Sequence, residues 1–258
     1  MTLIRDGTAL AYEDAGDGEP AVVLVHGIAC NRAFMALQAR FLEASHRVVT
    51  VDLRGHGDSD APHQRYTISV LADDVGWVCE RLGVTRAVVV GHSLGGHVAL
   101  ELATTRPDLA RAAVLIDSVL LAGADREHSV ASLVAGLRGP DPDRVLRDYF
   151  RRFFGLHDDP ALCDWILEQA VGTPAHVTSS IWEESLRAWD DAGVLSRCRV
   201  PLMYLDAGTP NADLERAVRL QPSMTLGRTV GSGHFSQLVC PEQVNAMLDR
   251  FLAVGLRR

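Results

Sequence analysis

Ala87-Val88-Val89-Val90-Gly91-His92-Ser93-Leu94-Gly95-Gly96 passes from four apolar residues through a glycine-bracketed serine into a helix-forming run. Three consecutive valines, apolar on both faces, read as a strand buried within a parallel sheet. Gly91-His92-Ser93-Leu94-Gly95 matches the G-x-S-x-G pattern in strand–turn–helix context. On such a turn the serine is lifted above the sheet. The flanking glycines let strand and helix approach without side chains between them. Ser93 also stands at a helix N-terminus, whose partial positive charge favours developing negative charge. The turn marks Ser93 as a candidate nucleophile; the competing reading is a packing turn with a helix-capping serine.

Outward from this turn the same rhythm repeats. Val22-Val23-Leu24-Val25, Val48-Val49-Thr50-Val51, Ala113-Val114-Leu115-Ile116 and Leu202-Met203-Tyr204-Leu205 are further buried strands, and the last strand covers about Thr225 to Val230. Helical periodicity occupies 32–44, 67–82, 94–105 and 241–254. Alternation of this kind predicts βαβ units with right-handed crossovers, an α/β fold with helices on both faces of a mostly parallel sheet. Leu10-Ala11-Tyr12-Glu13 reads as the first strand, at an antiparallel edge. Residues 118–200 contain no strand pattern. They hold helical patches such as Val145 to Phe154 and Leu162 to Leu167, with turns at Gly139-Pro140-Asp141-Pro142 and Gly172-Thr173-Pro174. The expected organisation is a core of 1–118 and 200–258 with a helical cap, 119–199, inserted after the sixth strand.

At 258 residues the chain is long enough for one large domain with an insertion. Its 25 basic residues against 33 acidic give a formal net charge of −8, which argues against a nucleic-acid partner. The first residues lack a basic stretch followed by an apolar core, and no apolar run reaches the roughly 18–20 residues of a membrane span. Five scattered cysteines without a C-x-x-C pair suggest neither zinc nor a disulfide framework. The expectation is a cytoplasmic protein, monomer or homodimer, acting on a small molecule without metal or cofactor.

In an open parallel sheet ligands bind beyond the carboxyl ends of the strands. After the strand ending at Val25 comes His26-Gly27-Ile28-Ala29, a loop expected beside the serine turn. The backbone N–H groups of Ile28 and Leu94 are the candidate oxyanion donors, each worth about 3–4 kcal/mol of barrier if fixed beforehand. His26 reads as a loop anchor. A serine needs a base, and among ten histidines His234 stands out. It lies in Gly231-Ser232-Gly233-His234-Phe235, between the last strand and the final helix.

These residues resemble the α/β-hydrolase superfamily over nearly the whole chain, in its serine-nucleophile branch. Asp52-Leu53-Arg54-Gly55-His56-Gly57-Asp58-Ser59 is similar to the family's signature turn after its fourth strand, a structural feature in which Arg54 is expected to be held by local hydrogen bonds. The resemblance implies a carboxylate for His234, which in most of the superfamily follows the seventh strand in a glycine-x-x-aspartate stretch. Here that stretch is Leu205-Asp206-Ala207-Gly208-Thr209-Pro210-Asn211, with Pro210 where the acid is expected; Asp206 falls about four residues early and Asp213 in the next helix. Some branches, among them certain haloalkane dehalogenases, a lactonase acting on zearalenone and cofactor-free dioxygenases, carry the acid after the sixth strand. Asp117 is at that position. Asp117 is therefore assigned, with Asp206 as the alternative.

Aspartate at the elbow serves dehalogenases and epoxide hydrolases; serine with histidine suits acyl transfer. The expected activity is that of an esterase or lactonase acting through an acyl-enzyme. Aromatic residues concentrate in the insertion (Phe150, Phe153, Phe154, Trp165, Trp182, Trp189), which favours an apolar or aromatic substrate. Phe34 and Trp182 are the candidate substrate-binding side chains. A cofactor-free dioxygenase, a lyase or a ligand-binding protein on the same scaffold are the alternatives.

Overall fold

The computed structural model describes residues 1–258 apart from 122–124, 156–157, 186–187, 210 and 257–258, and apart from the side chains of 125–129. Its centre is an eight-stranded sheet formed by β1 (Thr2–Arg5), β2 (Thr8–Ala15), β3 (Val22–Val25), β4 (Val48–Val51), β5 (Ala87–His92), β6 (Ala110–Ile116), β7 (Leu202–Asp206) and β8 (Thr225–Arg228). The spatial order is β1-β2-β4-β3-β5-β6-β7-β8. β1 and β2 are antiparallel; β3 to β8 run parallel.

The valine runs explain this sheet. Val22, Val23, Leu24 and Val25 are all at most 1% exposed. Alternate residues enter different cores: Val23, Val25, Val49, Val51 and Val89 one, and Val22, Leu24, Val48, Val88 and Val90 the other. Successive strand side chains point to opposite faces, so a run apolar at every position fits only a sheet covered on both sides. Each such valine gains roughly 1.5–3 kcal/mol from burial. The second core is closed by α1 (Ala36–Leu42) and by α11 (Pro241–Arg250), through Leu42, Val244 and Leu248. The first is closed in part by α2 (Ile68–Arg81) and α3 (Leu94–Thr105).

Two sequence expectations change. Residues 8–15 are the second strand, paired on both sides, and the edge is Thr2–Arg5. Asp6 and Gly7, both at positive φ (48° and 78°), close a two-residue hairpin that folds β1 back on β2. The last strand stops at Arg228, and Val230 is exposed.

Between β6 and β7 there is no strand among the described residues. Instead come α4 (Asp125–Leu137), α5 (Pro142–Phe150), α6 (Pro160–Val171), α7 (Ala175–Glu184) and α8 (Asp191–Arg197). Asp141, Asp159 and Asp190 cap α5, α6 and α8 through side-chain oxygens. The helices are fixed to the rest of the chain at several points. Asn31 Nδ2 donates to Gln169 Oε1 (2.8 Å), Trp189 Nε1 donates to Glu101 Oε2 (3.0 Å), and Phe34 packs on Trp165 with ring centroids 4.7 Å apart. After β7 follow α9 (Leu214–Leu220), β8 and α10 (Ser236–Val239). No described helix is long and apolar enough to cross a membrane.

Candidate active site

The register places the strand ends together. Val25 of β3 is level with Gly91 of β5, His92 with Ile116 of β6, and Ile116 with Leu205 of β7. The residues that follow these ends share one rim, and the candidate site is there.

Ser93 occupies the turn between β5 and α3 with φ 52° and ψ −116°. A non-glycine residue held at positive φ stores of order 1–3 kcal/mol and persists only when its surroundings enforce it. The enforcing contacts are short. A Cβ added to Gly91 would stand 1.9 Å from the Gly95 carbonyl oxygen, and one added to Gly95 would stand 2.2 Å from the Val25 carbonyl oxygen. Both positions therefore require glycine. The Ser93 N–H donates to Ile116 O (2.9 Å), and its hydroxyl makes no capping bond to α3. The capping role weighed against a chemical one is thus absent.

The loop after β3 lies against this turn. Gly27 faces the His92 ring and the Ser93 Cβ, at 2.9 and 3.3 Å from its would-be Cβ. His26 anchors the loop: Nδ1 donates to Gly27 O (2.7 Å) and Nε2 accepts from the Leu53 N–H (3.0 Å). Burial is the main cause that lowers its pKa, to about 4, against the opposing Gly27 hydrogen bond, so it is neutral there. Ile28 is 5% and Leu94 1% exposed. Among the described residues neither amide donates to a protein acceptor. For Leu94 this follows from its place in the first turn of α3, whose N–H groups have no partner within the helix.

His234 is 3% exposed, and its Nδ1 lies 2.6 Å from Asp117 Oδ2. Asp117, 0% exposed and at φ 44°, is the first residue after β6. Its oxygens also accept from the Ala207 N–H (3.2 Å), the Thr209 hydroxyl (2.9 and 2.8 Å) and Asn211 Nδ2 (2.8 Å). Burial pushes its pKa upward, but the His234 hydrogen bond and charge, Thr209 and the Ala207 amide prevail and hold it below the usual value. An ionised Asp117 selects the tautomer with the proton on Nδ1. Nε2 of His234 is then the basic nitrogen.

Asp206 goes elsewhere. It ends β7 level with Arg228 and accepts from Arg228 Nε (2.6 Å) and from the Gly208 N–H (2.8 Å). Asp213 caps α9 from outside rather than lying within it. Pro210 lies outside the described residues; counted from Gly208, the glycine-x-x-aspartate spacing ends not on Pro210 but on Asn211, so an asparagine stands at the usual acid position. Arg54 is held not by its neighbours but by a two-pronged bond to Asp74 (2.7 Å each), twenty residues on.

Aromatic rings surround His234. Phe153 lies 4.5 Å from its ring, His92 4.7 Å and Phe235 5.3 Å. His92 Nε2 also donates to the His234 carbonyl (2.9 Å). Phe34 is fully buried against Phe235 (6.0 Å) and Trp165. Trp182 packs on Tyr149 (4.9 Å), which packs on Phe153, and among the described residues its Nε1 is buried without a hydrogen-bond partner. Thr209, Asn211, His92 and Phe153 escaped sequence reasoning as site residues. The available signal was two polar side chains flanking Pro210 in a loop otherwise expected to carry an acid. A cavity of about 330 Å³ lined by Glu13, Arg32, Thr50 and Asp52 touches neither Ser93 nor His234. Among the described residues no three His, Cys, Asp or Glu side chains converge as a metal site.

Residues 20–164 match the family described as the alpha/beta hydrolase fold. The chain belongs to that family. Among its relatives, AB hydrolase superfamily protein YisY of Bacillus subtilis is 28% identical over 96% of this chain and 96% of its own length. Bifunctional epoxide hydrolase 2 of Sus scrofa is 27% identical over 99% of this chain and 55% of its own. Among solved structures, the enol-lactonase of Burkholderia xenovorans superposes with a TM-score of 0.88 at 22% identity, covering 98% of this chain and all of that one. As an α/β hydrolase, the protein has relatives whose named reactions differ, so its own chemistry must be argued from its site.

Proposed function

We propose that this α/β hydrolase cleaves a carboxylic ester or lactone through an acyl-enzyme on Ser93, with His234 as base, Asp117 as its acid, and the Ile28 and Leu94 amides as oxyanion donors. The observation that carries this reading is the 2.6 Å pair between buried Asp117 and His234, set on the same rim as a serine held at φ 52°. Ser93 Oγ attacks the substrate carbonyl while its proton passes to His234 Nε2. Negative charge collects on the carbonyl oxygen, opposite the two unpaired amides. The tetrahedral intermediate collapses, and the imidazolium returns its proton to the leaving alkoxide. Water, deprotonated by the same nitrogen, then releases the acid and restores Ser93. Asp117 stays ionised and stabilises the imidazolium. An aspartate nucleophile, as epoxide opening uses, is excluded at position 93 by the sequence.

The helices between β6 and β7 serve as a cap whose rings select the substrate. Phe153 and Phe235 supply aromatic surface at His234, with Phe34 and Trp182 packed behind them, which suits an apolar or aromatic acyl or alcohol group. The test has two parts. Labelling with a fluorophosphonate probe, mapped by mass spectrometry, should modify Ser93 and fail in Ser93→Ala and His234→Gln. A panel of p-nitrophenyl esters and aryl lactones should show turnover, lost in Ser93→Ala.

A second reading has one observation in its favour. Among the described residues Ser93 Oγ makes no hydrogen bond with His234. In a cofactor-free dioxygenase the histidine deprotonates the substrate itself and the serine only binds it. Oxygen uptake during turnover that survives in Ser93→Ala would favour that reading and end the hydrolase one.

A further inference from the structure

The main chain of His234 is held at both of its polar groups. Its N–H donates to the Phe153 carbonyl in a long hydrogen bond of 3.4 Å, and its C=O accepts from His92 Nε2 at 2.9 Å. The same two residues pack on its ring, Phe153 at 4.5 Å with the planes 31° apart and His92 at 4.7 Å. They come from different parts of the fold. His92 is the last residue of β5 and adjoins Ser93, whereas Phe153 ends a 3-10 turn, Arg151–Phe153, that follows α5 in the cap. A buried backbone N–H needs an acceptor. Among the described residues the one that serves His234 belongs to the cap.

The approach is close enough to forbid a side chain. A Cβ added to Gly233 would stand 2.7 Å from the Phe153 carbonyl oxygen and 3.4 Å from the Gly155 nitrogen. Gly231 is at φ 74°, but Gly233 is not at positive φ, so glycine is required there by contact and not by conformation. The cap segment is braced from its own side. Phe154 N–H donates to Arg151 O (3.4 Å), and Gly155 N–H donates to Asp158 Oδ2 (2.8 Å). The Phe153 ring alone would be ordinary packing, since it also meets Tyr149 (5.1 Å), Phe150 (5.7 Å) and Phe235 (6.3 Å). The main-chain contact is different, because it ties the cap to the residue that carries the imidazole.

We propose that Phe153 is a positioning residue through which the cap sets the base: its carbonyl and ring orient His234, so the imidazole is aligned only while this segment lies on the Gly231–Phe235 loop. The inference rests on the roles given above to Ser93, His234 and the cap. His92 fixes His234 from the serine turn whatever the cap does. Phe153 supplies the second hold, and that hold is withdrawn when its segment lifts. Base and pocket are then completed together, which confines activation of Ser93 to the closed site.

The experiment compares Gly233→Ala, Phe153→Ala, Phe153→Leu and Ser185→Ala with the wild type. Fluorophosphonate labelling of Ser93 is followed over probe concentration, which gives a limiting rate and a half-saturating concentration without any known substrate. The strongly deshielded Nδ1–H proton resonance of His234 is recorded alongside and needs no reaction. Gly233→Ala forces the Phe153 carbonyl off the loop. It should lower the limiting rate at least about tenfold, because a misplacement of about 1 Å is worth about a hundredfold. The half-saturating concentration should stay within about twofold, and the resonance should broaden. Phe153→Ala keeps the carbonyl and loses the ring, so a fall of about threefold to tenfold is expected, the worth of one aromatic contact. Phe153→Leu should restore most of it. Ser185→Ala cuts another fastening of the cap, the hydrogen bond from Ser185 Oγ to Tyr66 O (2.9 Å). It should leave the limiting rate within about twofold, as a distant and independent site does. A folded Gly233→Ala with the limiting rate and resonance of the wild type overturns the proposal. So does a Ser185→Ala that slows labelling equally. An effect confined to the half-saturating concentration also overturns it, and makes Phe153 a wall of the pocket alone. Should Gly233→Ala not fold, Phe153→Ala decides: a limiting rate within about twofold of wild type overturns the positioning role. A wild type that is never labelled ends the hydrolase reading, while the resonance still answers for the hold on His234.

Discussion

β6 and β7 lie side by side, and each delivers an aspartate at its carboxyl end. Asp117 follows β6, is 0% exposed, and gathers His234, Thr209, Asn211 and the Ala207 amide around its two oxygens. Asp206 closes β7, is 5% exposed, and binds Arg228 and the Gly208 amide. Both are buried carboxylates one strand apart. The difference arises from pleat and turn. Asp206 is still within the sheet, level with Arg228 of β8, so its side chain serves that neighbouring strand. Asp117 is one step past the sheet at φ 44°, and that turn carries its side chain onto the rim. A carboxylate beside the right strand is not enough; the backbone must leave the pleat before the side chain can meet a loop.

The strongest way to break this contrast is to neutralise each aspartate in turn. Asp117→Asn should lower kcat/KM for an activated ester about 10⁴-fold, because the amide favours the wrong histidine tautomer. Asp206→Asn should leave it within about twofold. Steady-state kinetics on the two purified variants measures both, and the opposite ranking would transfer the acid to Asp206.

Much of this was legible in the chain. The valine runs gave the parallel strands, because residues apolar on both faces have one structural solution. Gly91 and Gly95 gave the serine turn, and each is shown necessary by a contact near 2 Å. Asp117 could be placed because it directly follows a strand. Asn211 ends the glycine-x-x-aspartate spacing counted from Gly208, but an asparagine there carries no acid, and its meeting with Asp117 and His234 depends on the pairing of Leu120 with Ala212, a contact of two loops. β1 was missed for a related reason. It is four residues of half-exposed edge, and only the Asp6-Gly7 hairpin marks it. The Arg54–Asp74 pair likewise needs the third dimension.

Acid stability separates the charged and neutral groups of this rim. Burial first of all lowers the pKa of His26 to about 4 and those of His56 and His92 to about 3. The unfolded histidine titrates near 6.5, so between there and about pH 4 the unfolded chain binds more protons and stability falls as pH falls. Each histidine costs about 1.4 kcal/mol per pH unit in that window, or roughly 2 kcal/mol from pH 7 to 5. Asp117, with a lowered pKa, acts in a different window. Its contribution is complete above its unfolded value near 3.9 and is lost as pH falls through its folded value. Urea unfolding from pH 7 to 3 should therefore show a steep loss above pH 4 that Asp117→Asn retains and His92→Gln reduces by about one proton. A loss above pH 4 that disappears with Asp117 would reverse this assignment.

A smaller change tests whether the setting of Asp117, as much as its charge, distinguishes the two ends. Thr209→Val removes one donor from both Asp117 oxygens without altering charge or size. A hydrogen bond to a charged group is worth about 1.5–3 kcal/mol. The expected result is a fall in kcat of about tenfold with KM little changed, since the loss falls on the step in which the imidazolium forms. An unchanged kcat would mean that His234, Asn211 and the Ala207 amide fix the carboxylate without Thr209.

The smallest expected effect belongs to Asp206, and it bears on stability alone. Its partner Arg228 keeps a side chain 68% exposed, so solvent screens the pair even though the carboxylate is buried. Pairs of this kind contribute about 0.2–1 kcal/mol. Asp206→Asn keeps an oxygen for the Gly208 amide and loses only the charge, so the part-buried backbone contact at the β7 turn survives. For a chain of this size the unfolding midpoint should drop by about 1–3 °C. Because exposed charge pairs weaken with ionic strength, the gap between variant and wild type should narrow in molar salt, and Arg228→Gln should reproduce it. A drop of ten degrees, or one indifferent to salt, would show that Asp206 is fixed from within the core, and the two strand ends would then be more alike than their partners indicate.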